Sequence, residues 1–168
     1  HAKARGAKIL GEVVGYGSNC DAFHMTAPDP TGEGAATAMQ LALAEAKIEP
    51  AQVDYINAHG TATKANDAAE AKAINLVFGE DSKVLVGSTK AMTGHLLGAA
   101  GAIEAIAVVA SLQKGQLPVN IGMTEQDKEC KVNVVTQAKA HPEKLEYALS
   151  NSLGFGGHNA VLAFRKWS

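Results

Sequence analysis

The sequence predicts an α/β domain built on a mixed, mainly parallel sheet covered by helices. Three observations carry that prediction. Two strand–loop–helix units follow one another, which implies parallel pairing through crossovers. The last two strands are joined by Asn151–Gly157 (NSLGFGG), too rich in glycine for a helix and too short for a crossover, so they form an antiparallel hairpin. Apolar residues make up 46% of the chain, but many are alanine and only 5% of residues are aromatic. That composition lets helices approach a sheet closely.

Taken in order, Ala7 to Gly17 reads as a strand, and Ser18 to Gly32 is a loop rich in Asp, Asn, Pro and Gly. A helix is expected from about Glu33 to Lys47, with Ala35, Ala38, Met39, Ala42, Leu43 and Ala46 on one buried face. Val53 to Asn57 is the second strand. It runs into AHGTATKAND and a helix from about Asp67 to Phe78. Asn66 or Asp67 is the expected N-cap, with Glu70 closing a capping box and Gly79 ending the helix. Lys83 to Gly87 is the third strand, and a long apolar helix follows to about Gln113, ended by Gly115. Val132 to Val135 is a short strand. Leu145 to Ser150 and His158 to Lys166 close the sheet.

The chain has 168 residues, enough for one domain with its own core. A net charge of -2 gives no footprint for nucleic acid or an anionic membrane. Cys20 and Cys130 have neither metal spacing nor a disulfide framework, so the reduced cytoplasm is the expected compartment. No signal peptide is evident. The long helix contains Gly98, Gly101 and Glu104 and reads as a buried core helix rather than a membrane span. The missing initiator methionine suggests a piece of a longer polypeptide.

The chemistry concentrates in Ser88–Glu104 (STKAMTGHLLGAAGAIE), where a strand end feeds a helix, a place where ligands bind in α/β sheets. Glu104 is the only charged side chain from Leu96 to Gln113. A lone carboxylate on so apolar a helix needs a buried partner, and Lys90 is the candidate. His95 is expected in the first turn of that helix. The positive helix end and Lys90 there favour an uncharged imidazole that donates one hydrogen bond. His59 occupies the matching place after the second strand. If the two strands are neighbours, both imidazoles converge on one small ligand and suit an oxyanion or enolate. A metal site is the rival chemistry, although no adjacent carboxylates complete a ligand set. Taken singly, each residue also has a bland reading. His95 caps its helix, Thr61 and Thr63 are ordinary loop hydroxyls, and Phe155 plugs a gap in a tight turn whose backbone could otherwise offer donors.

Three motifs in order, NAHGTAT at Asn57–Thr63, STKAMTGHLLGAAGAIE at Ser88–Glu104 and NSLGFGGHN at Asn151–Asn159, resemble the β-ketoacyl-[acyl-carrier-protein] synthases, most of all the bacterial type II elongating enzymes. The resemblance covers 1–168, as the C-terminal half of that family. It implies a thiolase-like half with a five-stranded type of sheet, and decarboxylative Claisen condensation of an acyl thioester with malonyl-carrier protein in fatty acid elongation. By the same resemblance, His59, His95 and Lys90 are catalytic. Thr61, Thr63, Phe155, Gly154 and Gly156 bind substrate, with Phe155 gating and lending its N–H to the acyl oxyanion hole. Glu104 and Asn57 give structural support.

The resemblance implies no resident cofactor: the phosphopantetheine arm arrives on acyl carrier protein, and a structural monovalent cation beside Asn57 is the one group to test. It also implies a homodimeric full-length enzyme. The family's nucleophilic cysteine has no match here, and neither Cys20 nor Cys130 corresponds to it, so the chain alone is expected to be inactive. Ala62, Lys64, Leu153 and His158 depart from common family residues. The alternatives are a non-catalytic partner like a chain-length factor, or a module that binds the carrier-protein arm.

Overall fold

The computed structural model describes residues 1–137 and 145–167. Its sheet has the order β1-β6-β5-β2-β3-β4, with β1 Gly11–Cys20, β2 Tyr55–Asn57, β3 Leu85–Gly87, β4 Asn133–Val134, β5 Tyr147–Gly154 and β6 His158–Lys166. The parallel block is β5-β2-β3-β4, and β1-β6-β5 is antiparallel. The expected five-stranded sheet is therefore present with a two-residue sixth strand, β4, at its edge. The expected hairpin joins β5 and β6, but Asn151–Gly154, expected in the joint, extend β5, and the turn is Phe155–Gly157 with Gly156 and Gly157 at φ 85° and 76°.

Helices cover both faces. Successive side chains of a strand point to opposite faces. Ile56, Leu149 and Ala163 therefore join one core, with helices α1 (Glu33–Ala46) and α2 (Lys64–Phe78). Tyr55, Ala148 and Phe164 join the other, beneath helix α4 (Ala100–Lys114). The alanine-rich composition has a direct use here. A Cβ at Gly17 would lie 1.9 Å from the Ala38 carbonyl oxygen, and one at Gly15 would lie 2.1 Å from that of Ala42. Helix α1 thus rests on the bare backbone of β1, and Ala35, Ala38 and Ala42 complete the contact.

Four expectations change. Strand β1 starts and ends three or four residues later than predicted, with a register shift between Val13 and Gly15. Helix α2 begins at Lys64 after Thr63, with no side-chain cap. Asn66 and Asp67 lie inside it, and Glu70 turns to another task. The stretch expected as one long helix is broken into a short α3 (Lys90–Thr93), a 3-10 turn at Leu97–Ala99 and α4. Leu97 sits at φ 51°, left-handed backbone that stops the helical run.

The fourth concerns burial. The Leu97–Lys114 segment is apolar enough to cross a membrane by length and composition, yet it is the sheet cover of this domain. Only its inner face is buried: Glu104, Val108 and Leu112 point to the sheet, while Ile103 and Ile106 face outward.

The α1–β1 contact gives a direct test. Gly17→Ala is expected to lower unfolding free energy by about 2–3 kcal/mol through overpacking against a backbone carbonyl, measured by denaturant melts of the protein carrying this domain.

Candidate active site

Strands β2 and β3 are parallel neighbours, with Asn57 opposite Gly87. Their C-terminal ends therefore deliver His59 and Ser88–Lys90 to the same sheet edge. The two imidazoles meet there, with ring centroids 5.4 Å apart and planes at 85°. Both line a cleft of about 980 Å³, together with Thr61, Thr63, Gly154 and Phe155.

Beneath the cleft, Lys90 and Glu104 form a buried ion pair, the pairing expected from the lone carboxylate. Lys90 Nζ also stands 3.3 Å from His59 Nδ1. An ammonium there donates to Nδ1 and leaves the ring proton on Nε2. Burial, then Lys90, then His95 hold the His59 pKa down at about 4, so the ring is neutral at pH 7. His95 lies between α3 and the 3-10 turn, exposed and ahead of α4, so the helix-end argument does not apply to it. A local contact orients it instead: its Nδ1 accepts the Leu97 N–H at 3.1 Å, which also leaves Nε2 as the donor. Two N–H donors facing one cleft can stabilise a developing oxyanion.

The loop carrying His59 is held from below by Glu70. Its carboxylate accepts the N–H groups of His59 at 2.8 Å and Gly60 at 2.9 Å, and the Asn151 amide at 3.1 Å. Burial raises the Glu70 pKa, and those hydrogen bonds pull the other way. The sequence reading gave Glu70 a helix-capping task and missed this one. Asp67 and Lys72 on the same helix hide the signal that singled out Glu104, a lone charge on an apolar helix.

The remaining expected residues fall around the same cleft. Thr61 and Thr63 hydroxyls lie 3.0 Å apart at its rim. Phe155 is 79% exposed and plugs nothing within this chain. The glycine turn is tied to the Asp21–Thr26 loop: Gly156 N–H donates to Met25 O at 2.7 Å, and Gly157 O accepts from Asp21 N at 2.8 Å. The Gly156 donor is thus occupied. Asn159, bonded to Asp21 at 2.6 Å and to Asn19 at 2.9 Å, completes this anchor, which sequence spacing does not reveal. Cys20 Sγ donates to Gly156 O at 3.2 Å, and Cys130 lies away from the cleft, its thiol pushed up chiefly by burial.

Asn57 Oδ1 accepts from Tyr55 OH at 3.3 Å and Thr89 N at 3.2 Å, and its Nδ2 is buried without a hydrogen-bond partner among the described residues. Glu104 Oε2 and Asn151 Oδ1 are likewise buried without a partner among the described residues. Among the described residues, no three His, Cys, Asp or Glu side chains gather as metal ligands.

The family profile described as "Beta-ketoacyl synthase, C-terminal domain" matches residues 10–124. The chain belongs to the β-ketoacyl synthase family, as its C-terminal domain. This synthase domain is 53% identical over 167 residues to the 3-oxoacyl-[acyl-carrier-protein] synthase 2 of Staphylococcus aureus (strain COL), covering 99% of the chain and 40% of that protein. It is 48% identical over 167 residues to the protein of the same name from Synechocystis sp., again 99% of the chain and 40% of the relative. The synthase domain therefore spans about two-fifths of the curated relatives it matches.

Among solved structures, a β-ketoacyl synthase from Burkholderia phymatum STM815 superposes with a TM-score of 0.93 at 40% identity, over all of this chain and 40% of that one. A type II polyketide ketosynthase, solved with its acyl-carrier protein and bound to the hexaketide, gives 0.94 at 38% identity, over all of this chain and 41% of that one. These neighbours place the synthase domain in the thiolase-like fold.

Two outcomes are expected at the Lys90–Glu104–His59 unit. Lys90→Met alone strands a buried carboxylate and costs about 3–5 kcal/mol, and adding Glu104→Leu restores most of that stability. In the double variant, histidine NMR should show the His59 titration moving up from about 4 toward its ordinary 6.5. The folded state binds fewer protons than the unfolded state between those two values. The His59 contribution is therefore complete above pH 6.5 and lost as pH falls toward 4.

Proposed function

We propose that the chain is the histidine-bearing part of a 3-oxoacyl-[acyl-carrier-protein] synthase that elongates fatty acids by decarboxylative condensation. The observation that carries this reading is the pair of imidazoles on one cleft, with His59 kept neutral by burial and then Lys90, which also fixes its donating nitrogen. The names of the relatives and the carrier-protein complex of one structural neighbour support it.

In this mechanism, the malonyl thioester oxygen accepts hydrogen bonds from His59 Nε2 and His95 Nε2. The bond to the malonyl carboxylate breaks, carbon dioxide leaves, and its electron pair becomes the enolate that the two donors stabilise. The enolate carbon then attacks an acyl thioester held on a cysteine from the remainder of the polypeptide, and the cysteine thiolate is released. Lys90 and Glu104 hold His59 in its donating form. Thr61 and Thr63 hold the phosphopantetheine arm, and Gly154–Gly156 shape the acyl end. Phe155 gates that end, and its N–H serves the acyl oxyanion. The partner is acyl carrier protein. The full enzyme works as a cytoplasmic homodimer, and this part alone forms no acyl-enzyme.

A chain-length-factor-like role has one observation behind it. A solved ketosynthase/chain length factor structure superposes with a TM-score of 0.93 at 42% identity. The paired histidines with Lys90 favour the catalytic reading, because a non-catalytic subunit has no use for a polarised donor pair.

In a full-length synthase of this sequence, His95→Ala should abolish decarboxylation of malonyl-carrier protein while transfer of the acyl group to the cysteine persists. Loss of acyl transfer with condensation intact would overturn the assignment. The chain by itself should also bind a hydrophobic dye through the Ile103–Ile106 side of α4 and Leu97, all exposed here. A monodisperse monomer without dye binding would show that this face is not a packing surface.

A further inference from the structure

The donor pair needs more than its own side chains to stay in place, and one hydroxyl outside the expected set joins its two loops. Ser88 follows β3 and is buried, and its Oγ donates to Gly60 O at 3.0 Å, with His59 O farther at 3.5 Å. The same oxygen accepts the Lys90 N–H at 3.3 Å, and Ser88 N donates to Asn120 Oδ1 at 3.2 Å. The peptide on the histidine side is thus gripped at both poles. Its N–H groups go to Glu70 on α2, and its carbonyl goes to Ser88. The two loops are also in direct contact, because a Cβ at Gly60 would lie 2.6 Å from Ser88 Cβ.

We propose that Ser88 is a positioning residue, whose hydroxyl bridge from Gly60 O to Lys90 N fixes the His59 ring against Lys90 and aims its Nε2 at the substrate oxygen. The proposal rests on the condensation reading for its chemistry, but its geometry stands without it. Side-chain contacts alone do not give that register. Lys90 reaches His59 through a long, flexible stem, and the ion pair with Glu104 fixes its far end only. The main-chain link through Ser88 fixes the near end. Without it, Gly60 O loses its partner, and the loops keep only the bonds farther back, Thr89 N to Asn57 Oδ1 and Ala58 N to Gly87 O, so the His59–Lys90 register loosens. A displacement of about 1 Å at such a site costs up to about 100-fold in rate.

The groups that bear on the His59 ring are Lys90 after β3, His95 after α3 and, through Lys90, Glu104 on α4. Of His59, Glu70 on α2 meets only the backbone N–H. Separation of the loops moves Lys90 away and lets water in, both of which return His59 toward ordinary titration.

The test uses the full-length protein with Ser88→Ala and Ser88→Thr. Threonine keeps the hydroxyl, and Ser88 borders a cavity of about 130 Å³. Ser88→Ala should lower kcat for malonyl-carrier-protein decarboxylation on the order of 10- to 100-fold with little change in KM. The acid limb of its pH profile and the His59 NMR titration should both move up from about 4. Ser88→Thr should recover most of the rate and the titration. A folded Ser88→Ala protein whose His59 titration and acid limb are unmoved, or a folded Ser88→Thr no better than Ser88→Ala, overturns the proposal. If the wild type does not decarboxylate the malonyl substrate, the parent reading falls, and the NMR titration alone decides Ser88. Should Ser88→Ala not fold, Ser88→Cys keeps the size, weakens the bridge and is judged by the same criteria.

Discussion

Burying Lys90 and Glu104 under the cleft removes two charges from water, a cost of several kcal/mol per ion that their mutual attraction offsets only with good geometry. An apolar pair would fill the same space at no such cost. The ion pair does something an apolar pair cannot: it sets a fixed positive donor against His59 Nδ1. Its position depends in turn on ordinary packing. Glu104 is carried by α4, and α4 is seated by Val108 and Leu112 against Tyr55 and Phe164. The chain of cause therefore runs from an apolar helix face, through a buried carboxylate and a lysine, to the tautomer of one imidazole.

The same sheet edge concentrates strain. Of the non-glycine residues with positive φ, Ala22, Ala62 and Leu97 lie in the segments that border the cleft, while Lys47 closes a helix. Such conformations cost about 1–2 kcal/mol each and persist where the surroundings over-determine them. The surroundings here are polar and specific. Glu70 holds the loop before Ala62. Asp21, with Asn159, holds the loop that includes Ala22 against the glycine turn. The cleft is thus shaped by backbone held in place from behind rather than by its lining side chains alone.

How far this was legible in sequence depends on how local each cause is. The Lys90–Glu104 pair could be read because a single charge on an apolar helix demands a partner. The convergence of His59 and His95 could be read because both follow strands at matching places. The helices and the final hairpin followed from periodicity and glycine. Glu70 was misread because a nearby capping box offered a sufficient local explanation, whereas its partners are the His59 loop and Asn151 on β5. The break before α4 was invisible because Leu-Leu-Gly-Ala-Ala-Gly is compatible with helix, and a left-handed Leu97 leaves no compositional mark. Asp21 with Asn159, and Ser88 with Gly60, join residues whose proximity only the sheet order creates.

The half-buried state of α4 bears on the chemistry as well as on packing. Leu97, just ahead of α4, lines the cleft and is exposed, as are Ile103 and Ile106 on the outer face of the helix. Covering that surface would also draw water away from His95, now exposed, and from the mouth of the site. Electrostatic donors act more strongly as water is excluded. The imidazole pair is already oriented in this chain, His59 by Lys90 and His95 by the Leu97 N–H. What the open face withholds is the dry environment in which two hydrogen-bond donors count for most. The apolar surface beside the cleft and the donor pair inside it are therefore two parts of one design: orientation is built into the domain, and the dielectric is left to whatever closes over it.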